Sequence, residues 1–61
     1  MINVITAAQA EIDVEKAPDK LKFEGHVYRK AEVLRDSDNA VEGVLYNNKR
    51  KGKLAVYRDD V

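Results

Sequence analysis

Apolar and polar residues alternate along most of this chain. Over the first third, Ile2, Val4, Ala8, Ala10, Ile12 and Val14 hold even positions, while Asn3, Gln9, Glu11, Asp13 and Glu15 hold odd ones. That is the two-residue period of a strand with one solvated face. Ile5 and Thr6 interrupt it. A helix signal overlaps the same stretch: "TAAQ" places a glutamine three residues after a threonine cap, and alanine has the best helix propensity. On a helical wheel, however, Ile12 and Val14 fall about 160° apart, too far for one apolar stripe. The pattern therefore favours a strand over residues 9–16, with a helix over residues 7–16 as the alternative.

"APDK" at residues 17–20 reads as a tight turn, with Pro18 supplying the φ that its second position needs. Alternation then resumes. Leu21, Phe23, Val27, Ala31 and Val33 are odd, against Lys22, Glu24, His26, Tyr28, Lys30 and Glu32 on even positions. A strand this long has to bend, and Gly25 is where a bend or bulge costs least. "RDSDN" at 35–39 is a loop of side chains that bond to local backbone. Val41 to Tyr46 and Leu54 to Tyr57 are the last strands, joined by a hairpin loop, "NNKRKG", with a basic tip.

If these strands form a meander, Phe23, Val27, Leu45, Leu54 and Val56 converge on one side and Tyr28, Tyr46 and Tyr57 on the reverse. The runs "EGHVY", "EGVLY" and "GKLAVY" then have a structural meaning. Each glycine relieves twist or admits a close neighbour, and each tyrosine fills a matching place. The expected fold is a single domain over residues 1–61, all-β, a small antiparallel sheet or partly open barrel of four to five strands. The alternative is α+β, with one helix at about 7–16 packed on a three-stranded antiparallel sheet. The tyrosine face has two expected environments. Either residues 1–16 cover it through Ile2, Val4, Ile12 and Val14, or it is a ring platform edged by His26, Lys30, Lys53 and Arg58.

Composition narrows the function. At 61 residues with no cysteine, the chain supports one small core held by apolar packing or by a partner chain. That composition fits a cytoplasmic setting. The apolar runs fall far short of a membrane span, and the N-terminal stretch lacks the basic start of a secretory signal. Formal net charge is +0, yet the charges are blocked: residues 1–19 and 31–47 are net acidic, residues 20–30 net basic, and residues 48–58 hold five basic side chains and no acid. Such blocks bear on encounter and orientation, or pair across strands.

Chemistry has little to work with. His26 is the single histidine, and Ser37 and Thr6 are the single serine and threonine, so a nucleophile-base pair would need a turn residue to meet a strand residue. Asp36, Asp38 and Glu42 lack the length and central glycine of a calcium loop, and no glycine-rich phosphate loop or cofactor motif occurs. No catalytic residue, metal ligand or cofactor is expected. The first functional expectation is a non-enzymatic protein-interaction module, a small regulator or inhibitor acting by surface occlusion, with Tyr28, Tyr46, Tyr57, His26 and Lys30 as contact residues. The alternatives are a structural homodimer subunit and a nucleic-acid-binding domain. The latter would use the basic hairpin at 48–53 and the sheet-face tyrosines, with Lys49, Arg50, Lys51, Lys53 and Arg58 meeting phosphates or an acidic partner. Zero net charge weighs against a dedicated duplex binder.

Overall fold

A computed structural model describes residues 2–59 as a mostly antiparallel five-stranded sheet curled into a half-barrel, with very little helix. The strands are β1 (Ile2–Thr6), β2 (Lys20–Phe23), β3 (His26–Arg35), β4 (Val41–Asn48) and β5 (Gly52–Tyr57), with one helical turn, α1 (Ala7–Ala10). Their order across the sheet is β1-β5-β4-β3-β2. The all-β expectation holds, with one correction: β1 lies parallel to β5, and only the other pairs are antiparallel.

Residues 9–16 form neither the expected strand nor its helical alternative. The capping box is real: Gln9 N–H donates to Thr6 Oγ1 at 3.3 Å and Thr6 N–H donates to Gln9 Oε1 at 2.9 Å. It opens one turn only, because Glu11 adopts a left-handed φ of 57° and its N–H closes onto the carbonyls of Ala7 and Ala8. Asp13 then organises a second turn by accepting Glu15 N–H at 3.0 Å, and the Asp13 and Val14 carbonyls accept Lys16 and Ala17 N–H. The tight turn thus falls just before Pro18.

Topology explains this. The chain leaves β1 at one sheet edge and must reach β2 at the other, four strand spacings or about 19 Å away along a flat sheet. Curling shortens the trip: α1 touches β1, β5 and β2. The alternating side chains therefore fill the mouth of the half-barrel without pairing. Ala7, Ala10 and Val14 are buried, with Ile12 and Ala17 packed beside them.

Two tight connections set which faces meet. Glu24 and Gly25, at φ 51° and 79°, make a two-residue hairpin turn between β2 and β3, with Phe23 opposite His26. Positive φ at both central residues is the geometry that suits the twist of the flanking strands, and glycine accepts it without strain. The long bent strand expected through Gly25 is accordingly two strands. Its register pairs Leu21 with Tyr28, so odd positions before the turn share a face with even positions after it. The β4–β5 hairpin pairs Tyr46 with Leu54 and Val44 with Val56, which keeps even with even. The "RDSDN" loop forms as read: Asp36 Oδ1 accepts Asp38 and Ala40 N–H at 2.9 and 3.1 Å.

The core lies on the concave face. Tyr46, Val44, Val56, Leu54, Leu21 and Tyr28 are at most 4% exposed, and Phe23 and Ile5 pack against them. The expected partition of faces is therefore corrected. Phe23, Leu54 and Val56 join Tyr28 and Tyr46, whereas Val27 and Leu45 lie with Tyr57 on the convex face.

Candidate functional site

The three tyrosines do not form one platform. Tyr46 is wholly buried, and its hydroxyl donates to the Pro18 carbonyl at 2.7 Å, tying the crossover to the sheet. Burial and the nearby Asp19 carboxylate raise its pKa above the ordinary 10.0. Tyr28 is 4% exposed. The covered arrangement weighed from sequence is the one adopted, although Ile5, Ala7 and Ala10 do the covering beside Ile12 and Val14, while Ile2 and Val4 point away.

Tyr57 is on the other face, opposite Gly43. A methyl group built on Gly43 would stand 2.9 Å from Tyr57 Cδ1 and 2.7 Å from the Val56 carbonyl, so the tyrosine ring lies against bare backbone. Lys30 is engaged locally: Nζ contacts Asp19 at 3.1 Å and donates to the Ala17 carbonyl at 3.0 Å. His26 is half-buried beside the β2–β3 turn, in a shallow depression it shares with Asn3, Glu24, Tyr28 and Lys51.

The convex face is uncovered, because the one long connection lies on the other side. Reading across β1, β5, β4 and β3, its central row is Val4, Ala55, Leu45 and Glu32, and the row toward one end is Thr6, Tyr57, Gly43 and Leu34. The row toward the other end is Ile2, Lys53, Asn47 and Arg29, continued on β2 by Lys20. Ile2 and Val4 are 51% and 64% exposed, and Val27, opposite Lys22, is 54% exposed. The face thus has an apolar stretch from Val4 to Leu45, ended by the exposed acid Glu32, and a basic margin.

The margin continues into the hairpin tip. Both short turns, at 24–25 and 49–51, fall at the same end of the sheet, because β3 begins where β4 ends. Lys49, Arg50 and Lys51 extend from exposed turn positions there, braced by Asn48 Oδ1, which accepts the N–H of Arg50 and Lys51 at 2.7 and 2.9 Å. Lys53 joins them. Arg58 does not: it stands about 17 Å away along β5, at roughly 3.4 Å per residue, and pairs with Asp36 at 3.7 Å. Asp36, Asp38 and Glu42 are at that far end, so the sequence blocks become a molecule with a basic end and a mixed, acid-rich one. Among the described residues two ion pairs form, Lys30 with Asp19 and Arg58 with Asp36, each joining neighbouring blocks of opposite sign.

Ile2, Val4, Leu34 and Leu45 are the face residues that sequence reasoning left unassigned to a site. The available signal was "INVIT", a β-branched run without a charge, which becomes notable only once it is an edge. Among the described residues no group of three or more acidic, histidine or cysteine side chains is placed to hold a metal, and no helix is long and apolar enough to cross a membrane. No family model matches the chain, and no match is found among curated proteins or solved structures.

Proposed function

We propose that this protein is a non-enzymatic protein-interaction module that works by occupying a partner's surface through the convex face. The supporting observation is the contiguous set of exposed Val4 and half-buried Leu45 and Tyr57 around the buried Ala55, bordered by Lys53, Arg29 and Lys20. Exposed apolar groups ringed by charge are the usual composition of a protein contact, the apolar centre giving affinity and the rim orientation. The complementary partner carries an apolar segment flanked by carboxylates.

Nucleic acid is the weaker reading. Phosphate contacts would fall to the hairpin tip, but single-strand binding also draws on stacked aromatics. With Tyr28 and Tyr46 buried, Tyr57 is the ring left on a face, and it lies against Gly43 toward the end remote from the lysines. The test compares Leu45→Ala with the double variant Lys49→Glu/Lys51→Glu, each checked for native circular dichroism. In capture from the native cell, Leu45→Ala should abolish retention of a protein partner, while the hairpin variant should slow association and lessen its salt dependence. Binding of a mixed single-stranded oligonucleotide at about 0.15 M salt with micromolar affinity, lost on hairpin reversal, would overturn the order of the two readings.

A further inference from the structure

The two edges of the sheet are guarded differently. The β2 edge carries Lys20 and Lys22, the usual protection against unwanted pairing. The β1 edge is "INVIT", with no charge and no proline, and it holds two of the three large apolar residues that are most exposed.

The capping box shows which groups of β1 are unpaired. In a strand, each residue's N–H and C=O point to the same edge, and the edge alternates from one residue to the next. Thr6 N–H is taken by Gln9 and does not enter the β1–β5 ladder. By alternation Asn3 and Ile5 face β5, while Ile2 and Val4 present their N–H and C=O groups outward. Their side chains stand on the convex face, and Asn3, opposite Leu54, stands on the concave one.

The geometry points to a second copy of this chain as the occupant of that edge, paired antiparallel to β1 about a two-fold axis at Asn3. This register sets Ile2 against Val4 of the other copy twice, so every outward backbone group finds a partner in four hydrogen bonds. It also makes one apolar cluster of both Ile2 and both Val4 side chains on the convex face, and no charge meets its own image across the axis. An axis at Val4 would set Ile2 against Thr6, whose N–H is already bonded to Gln9. Pairing of β1 with the β2 edge of another copy would leave an open, growing chain and bring Ile2 and Val4 beside lysines. The dimer presents two convex faces as one surface. It stands independently of the reading of that face, since a chain that pairs through β1 and captures no partner would leave it intact.

The interface is short, below the area of a standard stable complex, so the dissociation constant should be about 0.1 mM. The chain has no cysteine, which makes single-cysteine variants clean probes. Directly opposed residues in a non-hydrogen-bonded antiparallel pair have Cα atoms about 4.5 Å apart, within disulfide reach. Under mild oxidation at about 0.1 mM protein, Asn3→Cys should form the covalent dimer at least about tenfold faster than Val4→Cys or a hairpin control, Lys49→Cys. In sedimentation equilibrium the unmodified chain should move from monomer to dimer with concentration, and Val4→Lys should weaken that association by about tenfold or more. Val4 is 64% exposed, so this variant keeps the fold. A monomer throughout the series, species that keep growing beyond the dimer, or faster crosslinking at Val4→Cys than at Asn3→Cys would each overturn the proposal.

Discussion

Replacing Tyr46 by phenylalanine removes one oxygen atom and tests how the crossover is held to the sheet. The ring is 0% exposed and phenylalanine refills it, so no cavity forms. What disappears is the 2.7 Å bond from the hydroxyl to the Pro18 carbonyl. A net hydrogen bond contributes about 1 kcal/mol, and a buried acceptor left without a partner costs up to about 3 kcal/mol. Pro18 is half-buried, so water reaches its carbonyl once the hydroxyl is gone and the loss stays near the lower figure. A domain of this length is stable by about 3–9 kcal/mol. A loss of about 1 kcal/mol therefore lowers the melting temperature by about 4–8 °C.

The same variant has a signature in alkali. Burial and Asp19 raise the Tyr46 pKa above 10.0, so the folded chain keeps this proton at pH values where the unfolded chain gives it up. The corresponding stability is full below about pH 10 and is lost as the pH rises through the folded value. Urea unfolding followed by circular dichroism should give a lower midpoint for Tyr46→Phe with an unchanged slope. Above about pH 10 the wild-type curve should fall more steeply than that of the variant. Equal midpoints at pH 7, or parallel loss in alkali, would refute the account of Tyr46 as the tie between crossover and sheet.

Gly43→Ala should cost about 1–3 kcal/mol, since its methyl group would stand 2.7 Å from the Val56 carbonyl and force β4 and β5 apart. Gly25→Ala meets no atom within 4 Å, and its φ of 79° alone should cost about 1–2 kcal/mol; chemical denaturation of both, with amide exchange across the β4–β5 pair rising only in Gly43→Ala, separates crowding from backbone strain. Gln9→Ala removes one arm of the capping box at Thr6 and should lower stability by about 1 kcal/mol, with faster exchange at Thr6 N–H as the local readout. Lys49→Glu/Lys51→Glu changes exposed turn side chains and should leave the unfolding midpoint within about 0.5 kcal/mol of wild type, so any effect on binding reflects charge.

Within each element the sequence determined a great deal. The period of two is a property of extended backbone, so the inward and outward sets of β4 were readable from parity, with Val44 and Tyr46 opposed to Gly43 and Leu45. Local bonding chemistry was equally legible in the "RDSDN" loop, the capping box at Thr6 and the basic hairpin tip, because each depends on residues only a few positions apart. Which strand faces coincide was decided by connection length. The two-residue turn at 24–25 exchanges odd for even and so puts Leu21 and Phe23 on the face of Tyr28, while the β4–β5 hairpin preserves parity and so puts Tyr46 in the core and Tyr57 on the convex face. The fate of residues 9–16 and the exposure of β1 belong wholly to the tertiary structure. Alternating apolar side chains serve a strand or a crossover equally well, and only the placement of β1 and β2 at opposite edges obliges this stretch to cross the core and leaves "INVIT" with an unpaired side.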